Sequence, residues 1–210
     1  MIFSIKSKED KFIQKEYNES MKELNKFFKI NWKRNKPRIF LMKDRKTINN
    51  LRGKETERWI VGWVDNGDIY ILDKENYEKE SCHKYSNKDY SGLIKHELVH
   101  VFFQILSNNK GEPDWLWEGT AMFASQQNDS RMKNKPLKCR EFLNYYHKKG
   151  SGVYKEAGFA VQFLVDNYGK EKLLLLIKSL KETNSESEFK KRFKEIYGFE
   201  LKYKNFNSSN

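Results

Sequence analysis

Cysteine is nearly absent from this 210-residue chain, which has only Cys82 and Cys139. They lie far apart and form no Cys-x-x-Cys pair, which excludes a disulfide framework or a thiolate metal knuckle and points to reduced thiols in a cytoplasmic protein. Proline (3) and glycine (11) are sparse, while 38% of residues are hydrophobic and 15% aromatic. That balance excludes a disordered, collagen-like or low-complexity chain. No apolar run approaches the roughly 18 residues that cross a bilayer, and Met1 to Asp10 lacks the apolar stretch of a leader peptide. A soluble, unexported protein with no membrane partner is expected. Histidine is also rare, with four in all.

Positive charge is abundant: 41 Lys and Arg face 29 Asp and Glu, a net +12. Residues 1–58 hold 17 basic and 8 acidic groups, residues 59–131 hold 7 and 12, and residues 132–210 hold 17 and 9. An acidic middle therefore sits between two basic flanks. Within the flanks, as from Lys11 to Lys29, basic residues alternate with acids and apolar positions at helical spacing, which is the pattern of a solvated helix surface. No aromatic and basic platform motif of the kind that stacks bases is present, so nucleic acid is not the expected partner. An acidic cleft would favour cationic peptides by steering.

Ile13, Tyr17, Met21, Leu24 and Phe28 recur at steps of three or four, predicting an amphipathic helix over about 8–30. Arg38 to Met42 is a short strand-length run, followed by a polar stretch to Arg58. Trp59 to Val64 and Ile69 to Leu72 flank Asp65-Asn66-Gly67-Asp68, a strong hairpin signal. From Asp89 the pattern turns helical, with helices expected at about 89–107, 114–127, 136–148, 153–168, 170–181 and 185–197. With no repeat or long linker, the expectation is one α+β domain over 1–210: an N-terminal helix and small antiparallel sheet (1–88) packed on a mainly helical part (89–210).

His96-Glu97-Leu98-Val99-His100 is the most informative stretch. Two histidines four apart on a helix present both imidazoles on one face, as a tetrahedral metal requires. Glu97 beside them can take a proton from water activated by the metal. A third protein ligand must come from elsewhere. Glu118 is the only acid among the bulky apolar residues of Trp115 to Phe123, on a helix that Asp114 is placed to cap; a buried carboxylate is costly without a partner, and a metal supplies one. His147 is the rival, though Tyr145-Tyr146-His147-Lys148-Lys149 reads as the charged end of a helix, where an unligated imidazolium is favoured.

His96-Glu97-x-x-His100, followed by Trp115-x-x-Glu118-Gly119-x-Ala121, then Tyr154 and Phe163-Leu164-Val165-x-x-Tyr168-Gly169, resembles the gluzincin zinc metallopeptidases. The resemblance is to the small peptidase MA-like proteins related to the aminopeptidase catalytic domain, and it runs from about residue 59 to 200. It implies a thermolysin-like zincin fold and one zinc per chain bound by His96, His100 and Glu118, with Glu97 as general base. It also implies a tyrosine donor to the tetrahedral oxyanion, at the position of Tyr154; Tyr145 and Tyr146 are alternatives. Thermolysin-type members carry an Asp four residues after the third ligand to hold a zinc-bound histidine. Met122 stands there in this chain.

Zincins hold substrate as an extended strand added to a sheet edge, which makes Gly67 to Leu72 the expected docking edge. The leading expectation is an intracellular zinc metallopeptidase acting on peptide or protein substrates by a single water attack. The alternative is a catalytically quiet or narrowly specific regulatory module that keeps the zincin shell, and behind it a nucleic-acid-associated protein with a structural zinc.

Overall fold

A computed structural model describes residues 5–128, 138–143 and 151–207. Asp10 opens α1 (Lys11–Phe28) by accepting from the N–H groups of Phe12 and Ile13, and Lys29 closes it in the left-handed region at φ 57°. The expected stripe faces inward: Ile13, Met21, Leu24 and Phe28 are buried, each contributing roughly 1.5–3 kcal/mol. Tyr17 is half-buried and donates its hydroxyl to the Pro37 carbonyl. The helix is thus part of the core.

β1 (Ile39–Met42), β2 (Gly62–Asp65) and β3 (Asp68–Leu72) form one sheet in the order β1-β3-β2. The hairpin turn holds Asn66 at φ 49° and Gly67 at φ 79°, the conformation that Asn-Gly adopts without strain. The sheet is mixed, which corrects the antiparallel expectation. β2 pairs antiparallel with β3, but β1 pairs parallel with it, Ile39 opposite Ile69. The cause is the route between β1 and β2. A short helix, α2 (Arg45–Arg52), and the 53–61 passage carry the chain to the far edge, and the hairpin then returns β3 to the middle. Arg45 pins this passage by donating to the carbonyls of Arg58, Ile60 and Glu80 at 3.2, 2.8 and 2.9 Å.

The sheet buries Ile69 and Ile71 on one side. On the other, Phe40, Tyr70 and Trp63 stack across the three strands at 5.0 Å, with the Arg38 and Arg52 guanidiniums over the outer rings. A short α3 (Tyr77–Glu80) leads to α4 (Asn87–Ser107). Ser86 caps α4 by accepting from the Asp89 N–H, its hydroxyl donates to the Asp89 carboxylate, and Asn108 ends the helix at φ 55°.

α4 is the central helix and is apolar on most sides, as Leu93, Ile94, Leu98, Val99, Phe102 and Phe103 show. Packed on it are α1, the sheet, α5 (Asp114–Ala124) and α7 (Lys170–Ser179). Between the last two, α6 (Ser151–Tyr168) backs α5; α8 (Glu186–Tyr197) and the short α9 (Tyr203–Phe206) complete the chain. Pro113 occupies the α5 cap position, so Asp114 stands in the first turn rather than capping it. There its charge still favours the helix dipole.

Of the helix expected over 136–148, residues 138–141 are not helical, and Phe142 and Leu143 lie in a 3-10 turn. The N–H groups of Arg140, Glu141 and Phe142 turn instead to the buried Glu156 carboxylate, at 2.8, 2.6 and 3.0 Å. The remainder of that expected helix lies outside the described residues.

Candidate metal centre

α4 carries His96, Glu97 and His100 within two turns, and α5 brings Glu118 against them. The Nε2 atoms of His96 and His100 are 3.1 Å apart, and Glu118 Oε2 lies 3.3 Å from the first and 3.6 Å from the second. Donor atoms held at about 2.0–2.1 Å from a tetrahedral zinc are about 3.3–3.4 Å apart. The three atoms therefore sit close to three corners of such a tetrahedron. Glu118 Oε2 is buried and makes no properly angled hydrogen bond among the described residues. Two imidazole nitrogens and an orphaned carboxylate oxygen converging at that spacing are a donor set that a divalent cation satisfies.

The protonation states suit the same end. Burial lowers the His100 pKa below the ordinary 6.5, outweighing the facing Glu118 carboxylate, so the imidazole is neutral and able to ligate near neutral pH. Burial by itself would raise the Glu118 carboxyl. The facing imidazoles overcome it and hold the group at about 2, so it is ionised.

Gly119, next to Glu118, has a packing role. A Cβ there would stand 2.5 Å from the Ala157 carbonyl oxygen and 2.8 Å from Val161 Cγ2, so α5 and α6 meet this closely only through glycine. The Glu-Gly pair thus combines a candidate ligand with the contact that fixes its helix.

Glu97 is 5% exposed and packs against β2. A Cβ on Gly62 would stand 2.6 Å from Glu97 Oε1 and 3.1 Å from Leu93 Cδ1, so a bare backbone at Gly62 makes room for the carboxylate. The docking edge moves accordingly. β3 is paired on both sides and presents no edge, which corrects the expectation for Gly67 to Leu72. The edge beside Glu97 is β2. Val61 accepts from the Leu72 N–H, and antiparallel alternation then turns the backbone groups of Gly62 and Val64 outward.

Tyr154 lies on α6 with its ring edge-on to Trp59 at 6.3 Å, three residues before Gly62. Tyr145, Tyr146 and His147 lie outside the described residues. Met122 is buried, with its Cβ against Gly158. The acceptor for His96 is instead Gln127, whose Oε1 lies 3.0 Å from Nδ1. His100 stacks on Trp117 with centroids 4.2 Å apart and planes 7° from parallel. Gln127, Trp117 and Gly62 were not singled out from sequence. The signals available were weak: Gln127 is the second of two glutamines just after the Glu118 helix, Trp117 adjoins the candidate ligand Glu118, and Gly62 interrupts an apolar strand.

Comparison with protein-family models, with curated proteins and with solved structures finds no match for this chain.

Proposed function

We propose that this chain is a zinc-dependent peptidase that hydrolyses peptide bonds by direct attack of water, without a covalent acyl-enzyme. The observation that carries the reading is the convergence of His96 Nε2, His100 Nε2 and Glu118 Oε2 at 3.1–3.6 Å, with Glu97 buried on the same helix. Zinc bound there would polarise the scissile carbonyl and bring the pKa of water to about 7. Glu97 takes the proton from the attacking water and returns it to the departing amine. The Tyr154 phenol donates to the oxyanion, and its contact with Trp59 ties it to the segment entering β2. Substrate main chain extends along the outer edge of β2 beside Gly62 and Val64, an addition that recognises backbone rather than sequence.

The reading carries with it a thermolysin-like arrangement, one zinc per chain and a cytoplasmic setting. Two free cysteines are consistent with that setting. No helix among the described residues is long and apolar enough to cross a membrane.

The test is metal content by mass spectrometry together with hydrolysis of a mixed peptide library, for the native chain and Glu97→Gln. One zinc per chain in both, with cleavage reduced about 10²–10⁴-fold in the variant, is expected. A native chain that takes up no metal after incubation with zinc refutes the reading, and undiminished cleavage by the variant refutes the role of Glu97.

A further inference from the structure

We propose that Gln127 and Trp117 are positioning residues for the two imidazoles, Gln127 through a hydrogen bond and Trp117 through a ring stack, and that neither brings a charge to the metal centre. The proposal rests on the metal-centre reading and deepens it.

Gln127 is 2% exposed and packs over Gly92, four residues before His96 on α4. A Cβ on Gly92 would stand 3.3 Å from Gln127 Cγ. The amide oxygen can only accept, so its 3.0 Å approach to Nδ1 assigns the proton to Nδ1 and turns the Nε2 lone pair toward His100 and Glu118. A ligating histidine normally receives this support from a carboxylate, a backbone carbonyl or water. Here a side-chain carboxamide supplies it without adding charge.

His100 is supported differently. Its Nδ1 is buried and has no hydrogen-bond partner among the described residues. The ring instead lies flat on Trp117 at 4.2 Å, and Phe103 packs edge-on to the indole at 5.1 Å. Trp117 directly precedes Glu118, so the residue that orients one ligand is joined by a peptide bond to another. An imidazole that shares its electrons with a cation becomes electron-poor, and an indole face attracts such a ring more strongly. The stack therefore favours the metal-loaded state as well as fixing the ring plane.

Zinc affinity by chelator competition, Co²⁺ absorption spectra and the melting temperature of metal-free protein are measured for the native chain, Gln127→Leu, Gln127→Glu, Trp117→Leu and Trp117→Phe. Zinc affinity is expected to fall about 10–100-fold in the two Leu variants, with altered Co²⁺ ligand-field bands. Gln127→Glu restores an acceptor and Trp117→Phe restores a ring, and both are expected to recover most of the affinity. Where a Leu variant unfolds, its conservative partner decides: zinc affinity within a few-fold of native supports the role, and a loss of about tenfold or more overturns it. Leu variants that bind zinc as tightly as the native chain also overturn it. A native chain that binds neither zinc nor Co²⁺ is a different result, since it removes the metal centre itself.

Discussion

Gly62→Ala adds one methyl group at the contact between the sheet and the proposed general base. The new Cβ would stand 2.6 Å from Glu97 Oε1, whereas ordinary contact begins at 3.4 Å, so the carboxylate must retreat by 0.8 Å. Leu93 Cδ1 at 3.1 Å narrows the directions open to it. Displacing a catalytic group by about 1 Å costs on the order of 10²-fold in rate. The backbone is not the obstacle, because Gly62 is not among the glycines at positive φ and alanine is the better strand residue by roughly 0.5–1 kcal/mol. The expected result is therefore a folded protein with native zinc content and stability within about 1 kcal/mol, but kcat down about 100-fold on a peptide substrate. The same substitution in the Glu97→Gln background should cost little more, since both changes act on one carboxylate. A Gly62→Ala protein with kcat within twofold of native refutes the argument, as does an equal further loss in the Glu97→Gln background.

Gly119→Ala drives a methyl into the Ala157 carbonyl oxygen, a backbone atom that cannot swing aside as a side-chain tip can. Overpacking of about 1–3 kcal/mol should lower the melting temperature by roughly 2–12 °C and weaken zinc binding by shifting Glu118; an unchanged melting curve refutes the packing role. For the metal-free protein, the lowered His100 pKa means that the unfolded chain takes up the proton more readily. Its stability contribution is thus present above pH 6.5 and is lost as pH falls below it, and Glu118, held at about 2 against 4.5, adds a loss below about pH 4.5. Calorimetry from pH 8 to 4 should show a falling melting temperature below pH 6.5 that is flattened in His100→Phe, and equal slopes refute it. The excess of 12 acidic over 7 basic residues in 59–131 should make Lys-rich peptides better substrates than matched Glu-rich ones at low salt, an advantage lost as salt is added. Equal rates at low salt refute that steering.

The elements best foreseen from sequence have strong local signals: α1 follows its apolar stripe, α4 its long apolar stretch, and the hairpin Asn66-Gly67. α2 was not foreseen because it buries only Ile48 among polar neighbours, so no stripe exists to be read. The sheet order was hidden because an alternating strand reports its faces but not its neighbours. Residues 138–141 look helical in composition, yet the N–H groups of Arg140, Glu141 and Phe142 answer to Glu156, fourteen to sixteen residues on, and that of Cys139 to Asn207. At the site, His96, Glu97, His100 and Glu118 stood out because two imidazoles and two carboxylates in apolar helices are hard to explain otherwise. Gln127 is an ordinary residue in sequence, and only its approach to His96 gives it significance.

The seat of Gly119 on Ala157 also bears on the order in which the protein is made. The two imidazoles belong to one helix and exist as a pair once α4 has formed. Glu118, by contrast, rides on a helix whose close fit needs α6 behind it. A nascent chain that has not yet emerged past about Val161 would offer a metal two mobile-sided ligands and an unsecured third, and would bind it weakly. Capture of the ion would then come late, after the C-terminal helices have docked. Zinc retention by ribosome-arrested chains of increasing length would rise in a step beyond that point, and a gradual rise beginning before α6 would count against it.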